Sequence, residues 1–277
     1  MSVKIVTDSV ADLPPALARS LGITVVPQLV QFGAEGFRDR VDLSADQFYA
    51  RLAQTKDLPT TAAAAPGQLA QVYAERLAGG GEVVSLHVAA ALSGVYNAAR
   101  IGASEFEGRV HLFDTRSVTM GQGWLAVHAA RAAQDGASAQ EILGLCERLA
   151  PRVRVWALLD TLEFLQRGGR IGAAQAFVGS LLQFKPILLI QDSTVYPSER
   201  VRTFRKALDR LVEMVKTAGP ALDLAILHAA APELATEVCR RLSDHHPTDR
   251  MVVGEVGPVV GVHAGPGAVG VAALLAE

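Results

Sequence analysis

Cysteine is scarce, with Cys146 and Cys239 the only two in 277 residues. They stand far apart, each inside a helix-like pattern (LGLCERL and TEVCRRL), so they form no zinc-ligand spacing. Two buried free thiols in a reducing cytoplasm fit this pattern better than a long-range disulfide. Charge of one sign is lacking too. The 26 Lys and Arg against 28 Asp and Glu leave a formal net charge of −2, which offers no general attraction to phosphate backbones or anionic membranes. Nucleic acid is therefore not expected as a partner. No apolar run approaches the roughly 20 residues that a spanning helix needs. The chain enters a strand at Lys4-Ile5-Val6-Thr7 with no basic and apolar leader before it. A cytoplasmic protein is expected, and not an integral membrane one.

Several signatures of chemistry are also missing. Gly79-Gly80-Gly81 precedes a strand and is followed by no Gly-Lys-Ser/Thr, so it is not a phosphate loop. No Gly-x-Gly-x-x-Gly follows the first strand, which disfavours a nicotinamide cofactor. His245-His246 lies in a polar Ser-Asp-His-His-Pro turn without further ligands nearby, a weak basis for a metal. Ala-Leu-Ser-Gly-Val around Ser93 is not the Gly-x-Ser-x-Gly elbow of a hydrolase. No metal and no cofactor are expected.

What is present is a large store of apolar residues, 50% of the chain with 19% charged, enough for a sizeable core. In the first half, strand-like runs alternate with helical ones. Lys4–Thr7 is β-branched, and Pro14-Pro15 suits the start of a helix over Leu13–Leu21. Thr24–Phe32 reads as one extended apolar stretch ending in a turn at Gly33–Gly36. Ser44 fits an N-cap for a helix through Leu52, and Pro66-Gly67 opens another helix. Val83–Val88 and Val110–Phe113 read as buried strands. Such βα alternation predicts a mainly parallel sheet with flanking helices.

The second half predicts a mixed sheet. Its strands are Val153–Leu159, a hairpin at Ile187–Ile190 and Thr194–Pro197, Leu222–Leu227 and Met251–Glu255, with a helix over Thr203–Val215 and another from Pro232. The expected fold class is two-domain α/β, with an N-terminal domain over 1–151, a C-terminal domain over 152–277, and the boundary at Ala150–Arg152 where a helix meets Pro151.

Five segments place polar or glycine residues directly after apolar strands, the edge where open α/β sheets bind ligands. In Thr7-Asp8-Ser9, the Asp can cap the next helix or position a neighbouring hydroxyl. Pro59-Thr60-Thr61 precedes a helix, where a threonine is commonly a cap. In Leu92-Ser93-Gly94, Gly94 lets the backbone approach a ligand and Ser93 sits where unpaired helix amides would welcome an anion, although an N-cap role serves it equally well. Gly168-Gly169-Arg170-Ile171-Gly172 can aim a guanidinium at an anion. Finally, His263 ends an apolar strand-like run and is followed by Ala264-Gly265-Pro266-Gly267, the most glycine-rich setting of the seven histidines.

Taken in order, these segments resemble the DegV family. Thr7–Pro14 is similar to its opening TDS-x-ADLP, Leu92–Ala99 to LSGTY-x-x-A, Leu162–Gly172 to LEYL-x-x-GGRIG, Phe184–Leu188 to IKPIL, and Gly261–Gly267 to G-x-H-x-GPG. The resemblance implies a two-domain α/β protein that holds a long-chain fatty acid of the palmitate or oleate class in an apolar tunnel. By the same resemblance, the carboxylate sits at the domain interface on the hydroxyls of Thr61 and Ser93, with Gly94 and His263 close by and Arg170 at the head group or a partner. It further implies a binding protein, not an enzyme, presenting the acid to a separate fatty-acid kinase that makes the acyl phosphate. A hydrolase using Ser93 and His263 on an acyl ester or acyl phosphate is the alternative. Two departures stand out: Ala62–Ala65 follows Thr61 where the family often reads Ser-Gln-Pro-Ser, and Ala89-Ala90 precedes Ser93 where it often carries a serine pair.

Overall fold

The computed structural model describes residues 2–55 and 57–277, apart from the side chains of 178–183. The first half contains β1 (Val3–Asp8), α1 (Pro15–Ser20), β2 (Thr24–Val26), β3 (Leu29–Phe32), β4 (Glu35–Arg38), α2 (Ala45–Leu52), β5 (Thr60–Ala62), α3 (Pro66–Leu77), β6 (Glu82–His87), α4 (Val95–Gly102), β7 (Val110–Asp114), α5 (Met120–Gln134) and α6 (Ala139–Leu149). The second contains β8 (Val153–Leu158), α7 (Glu163–Arg167), β9 (Lys185–Gln191), β10 (Thr194–Val201), α8 (Phe204–Thr217), β11 (Ala221–His228), α9 (Pro232–Leu242), β12 (Met251–Glu255), α10 (Pro258–Ala264) and β13 (Val269–Leu275).

These strands form three sheets. A parallel sheet runs β2-β1-β6-β7. An antiparallel one runs β4-β3-β5. A mixed sheet of six runs β10-β9-β8-β13-β11-β12, in which β11 and β12 are the parallel pair. The expected parallel sheet with flanking helices, followed by a mixed sheet, is what the chain builds. β1 and β6 are buried along nearly their whole lengths, as strands covered on both faces must be.

One expected element divides in two. Thr24–Phe32 is not a single stretch: β2 joins the parallel sheet and β3 the antiparallel one. The break falls at Pro27-Gln28, where proline has no N–H to give a ladder. Gln28 then knots three segments together. Its backbone N–H donates to Ser9 Oγ at 3.0 Å, its side-chain amide donates to the Val26 carbonyl at 3.1 Å, and its Oε1 accepts from the Ala64 amide at 2.8 Å.

Helix α5 is buried on nearly every side over Met120–Ala130, which marks a central helix. It packs between β1 of the parallel sheet and β13 of the mixed sheet, and Trp124 Nε1 donates to the Ala272 carbonyl at 3.0 Å. Gly121 permits this approach, because a Cβ there would meet Val155 Cγ2 at 2.6 Å. The largest apolar cluster accordingly draws on β1, α2, α5 and α6 as well as β8, β9 and β13. Both cysteines are free, but Cys239 is only partly buried, with its thiol 3.6 Å from Met251 Sδ. Its face of α9 reaches the sheet edge at β12, whereas Cys146 is fully enclosed and burial pushes its thiol up to about 12.

Candidate functional site

The C-terminal edge of the parallel sheet is organised by a chain of buried side chains. Asp8 accepts from the Val10 amide at 3.1 Å, the Val88 amide at 3.1 Å and His87 Nδ1 at 3.0 Å. His87 Nε2 lies 2.7 Å from Ser85 Oγ, which lies 3.1 Å from the Tyr73 hydroxyl. The order Ser–His–Asp is that of a hydrolytic triad, yet Ser85, His87 and Asp8 are each 0% exposed. No substrate reaches them. They hold the turns that carry Val10 and Val88.

Those two valines line a cavity of about 1030 Å³, counted with its open mouth. Its walls are strongly apolar. Val118 comes from the loop after β7, Val155 and Ala157 from β8, Leu188 and Ile190 from β9, Val195 from β10, Leu227 from β11, and Val259 and Val260 from α10. The polar side chains along it are Thr61, Ser93, Thr119, Arg170 and His263.

Each of these is positioned by local rules. Thr61 lies on β5, opposite Val30 of β3. Ser93 precedes α4, and its Oγ accepts from the Val95 amide at 3.4 Å. Gly94 is the N-cap of α4 at φ −73°, and a Cβ there would meet nothing within 4 Å; of this loop, Leu92 and Ser93 line the cavity. Arg170 is exposed, yet Nε donates to the Leu92 carbonyl at 3.2 Å and Nη1 to the Gly168 carbonyl at 2.8 Å. The guanidinium thus ties the glycine loop to the Ser93 loop.

His263 corrects one expectation. It does not end a strand but lies in the last turn of helix α10. Gly257 leaves room for Arg40, whose Nε a Cβ there would meet at 2.8 Å, and Pro258 sets the first helical position of a β-branched run that folds as a helix. The start of α10 is clamped from the first half of the chain. Asp12 Oδ1 accepts from the Gly257 amide at 2.8 Å and from Arg40 at 2.9 Å, Arg40 donates to the Glu255 carbonyl at 2.6 Å, and the Tyr49 hydroxyl donates to the Val256 carbonyl at 3.1 Å. The helix end is shaped by two glycine motifs packed on each other. A Cβ at Gly168 would overlap the His263 ring, and one at Gly265, where φ is +71°, would overlap the Phe164 ring. Hence Gly168-Gly169-Arg170 and the Gly265-Pro266-Gly267 turn form one unit in space.

His263 Nε2 lies 3.3 Å from Thr61 Oγ1, the hydroxyl it is paired with. Burial, reinforced by the nearby Arg170 charge, lowers His263 from 6.5 to about 4, so the ring is neutral at pH near 7. Thr61, Ser93, Arg170 and His263 thereby gather hydroxyl and ring donors beside one fixed cation, on one part of an otherwise apolar cavity. Such a set suits a small anion attached to a long apolar group. Among the described residues, no group of His, Cys, Asp and Glu could hold a metal ion, and no helix is long and apolar enough to cross a membrane.

Known proteins share this fold over its whole length. The family model for the uncharacterised proteins of the DegV family matches residues 2–276. The chain belongs to the DegV family. It is 41% identical over 276 residues to a DegV domain-containing protein of Deinococcus radiodurans, covering 98% of each chain. A DegV-family protein from Thermus thermophilus, described for its fatty acid binding, superposes with a TM-score of 0.93 at 32% identity over the whole of both chains. DegV of Bacillus subtilis, a fatty acid binding protein, superposes at 0.90 with 32% identity, again over both whole chains. The α/β fold expected from the sequence, a parallel sheet with flanking helices and a further mixed sheet, is therefore the family's.

Sequence reasoning passed over two features of this DegV-family site. Asp12 and Arg40 are far apart in the sequence, and nothing in either segment announces their pairing across the base of α10. Thr119 stands before an apolar helix, and its side chain makes no capping bond. The alanine departures have structural partners: the Ala64 amide serves Gln28, and the Ala89 amide donates to the Ser117 carbonyl at 2.9 Å.

Proposed function

We propose that this chain binds a long-chain fatty acid of the palmitate or oleate class, its tail in the apolar cavity and its carboxylate among Thr61, Ser93, Arg170 and His263. The observation that carries the reading is the division of the lining, apolar along β8, β9 and α10 and polar where Thr61 meets His263. The fatty-acid-binding relatives that share the whole fold support it. On this reading the chain comprises domains 1–151 and 152–277, and the cavity, lined from both, lies at their interface.

The energetics allow such a complex. Burying roughly 14 methylenes at about 0.8 kcal/mol each contributes around 11 kcal/mol, against association costs on the order of 4–15 kcal/mol. An unpaired buried carboxylate would cost several kcal/mol more. Two hydroxyls, a neutral imidazole and the Arg170 guanidinium offset that cost. Arg170 is also the exposed member of the set, placed where a second protein could reach the head group. The finer proposal is that the bound acid is presented there to a separate fatty-acid kinase, with this chain as the binding subunit and not the enzyme.

Denaturing mass spectrometry of an organic extract tests the binding. A stoichiometric C14–C18 acid is expected, and Thr61→Ala or Ser93→Ala should weaken rebinding by about ten- to a hundredfold, the worth of a hydrogen bond to a charged group. An empty extract, with no uptake of added palmitate or oleate, would refute the proposal.

A further inference from the structure

The clamp at the base of α10 contains one carboxylate too many. Asp12 and Asp39 are each 2% exposed, and Arg40 is the cation that faces both. Arg40 is taken up by Asp12 Oδ1 at 2.9 Å and the Glu255 carbonyl at 2.6 Å, and Asp12 also accepts from the Gly257 amide. Neither oxygen of Asp39 has a hydrogen-bond partner, although Ser9 faces it. A carboxylate buried in that way takes a proton in preference to holding a charge.

The clamp is also strained. Asp12 has φ 48° and Arg40 φ 59°, in the left-handed region that residues other than glycine rarely occupy. Such conformations persist only where the surroundings hold them, and they gather at switches and ligand sites. Arg40 lies in a surface turn whose next residue, Val41, is 58% exposed. The helix it holds forms part of the cavity wall through Val259, Val260 and His263, while Gly261 packs against Phe48 and Tyr49. The charged and titratable groups around Asp39 are Asp8 and Asp12 from the segment after β1, and Arg40 beside it. Tyr49 of α2 and Glu255 of β12 complete the cluster. Asp8 is bonded to His87, and Glu255 lies 3.8 Å from His228.

Resting on the fatty-acid reading above, we infer that Asp39 and the Asp12–Arg40 pair form a proton-operated latch on α10. With Asp39 protonated, the turn over 39–43 stays closed and holds α10 against the cavity. Loss of that proton lets the turn swing into water and frees the helix for the acid to enter or leave. Burial raises Asp39 from 3.8 to about 7 in the closed form. The closed form therefore holds a proton that the open form gives up, and opening becomes easier as pH rises from 3.8 toward 7, with no further gain above it.

The test follows palmitate release from the full-length protein to excess albumin between about pH 5.5 and about pH 8. Wild-type release should quicken by about tenfold per pH unit toward neutrality and then level off, whereas Asp39→Asn should release slowly with little slope. Asp39→Ala is the second variant if the first does not fold. The palmitate carboxylate titrates in every protein, so the difference between wild type and variant is what is read. Parallel profiles overturn the inference, and a cation or ordered water holding Asp39 ionised in the closed form would produce them. Hydrogen exchange of the α10 amides in the empty protein, corrected for the chemical rate, tests the latch without ligand. Their protection should fall over the same interval in the wild type and stay level in the variant. If palmitate binds at no pH, the fatty-acid reading fails, and the latch stands or falls on that exchange; the same pH dependence in both proteins overturns it.

Discussion

The empty protein should be acid-sensitive through His263 in particular. Burial, with Arg170 adding to it, lowers this imidazole from 6.5 to about 4. The unfolded chain then binds a proton near pH 6.5 that the folded chain refuses until about pH 4. The stability His263 provides is present in full above pH 6.5 and is lost as the pH falls toward 4. At about 1.4 kcal/mol per pH unit, the whole interval amounts to about 3 kcal/mol, an order-of-magnitude figure and a large part of a typical domain's stability.

The assay is urea unfolding of delipidated protein at about pH 7.5 and about pH 4.5, run beside His263→Gln, which keeps a polar side chain but cannot be protonated. Other groups titrate over this range, so the informative quantity is the difference between the two proteins. The wild type should lose about 2–3 kcal/mol more than the variant on acidification. Fatty acid should shrink the gap, because a carboxylate beside the ring favours the imidazolium. A difference that stays flat between the two pH values would refute the burial argument for His263.

Two further outcomes follow from particular contacts. Gly168→Ala places a Cβ into the His263 ring, so palmitate affinity should fall tenfold or more, at an overpacking cost of about 1–3 kcal/mol in thermal or urea unfolding. Unchanged affinity would mean that the ring yields freely. Asp39 is raised to about 7, mainly by burial and further by the Asp12 and Asp8 charges, with Ser9 and Arg40 opposing. Its contribution is present in full below pH 3.8 and lost as pH rises toward 7, so the stability advantage of Asp39→Asn over the wild type should grow across that interval and level off above it. Urea unfolding across that range checks the sign, and an advantage that fell with rising pH would contradict it.

Much of this arrangement was legible in the residues. The Ser44 cap is realised as a full capping box with Gln47, Pro66 opens α3, and the hairpin around Asp192-Ser193 joins β9 to β10. These are local matters, decided by a side chain and the backbone within a few residues of it. Apolar runs likewise marked β1 and β6, which are covered on both faces; Val110–Phe113 is a strand as expected, but as β7 at the sheet edge it is only partly buried. Thr61, Ser93, Arg170 and His263 stood out as polar residues beside glycines and strand ends.

Other features depended on distant partners. Whether residues 24–32 formed one strand or two turned on Gln28 reaching Ser9 and Ala64, contacts that no window of sequence contains. His263 lies on a helix because α10 is clamped by Asp12, Arg40 and Tyr49 and closed by the passage of Gly168 over its end. Ser85, His87 and Asp8 hold the composition of a triad, and only their burial makes them a brace. Thr119 precedes α5 at φ 52°, and only the tertiary structure shows that its hydroxyl is buried without a hydrogen-bond partner.

The sequence by itself determined the family and most of the elements in their order, though not the helix that carries His263 or the division of residues 24–32, since propensity, capping and apolar periodicity act over short distances along the chain. The tertiary structure decided which polar groups share a cavity, which are sealed away and which are left without a partner, because desolvation and hydrogen bonding depend on neighbours in space.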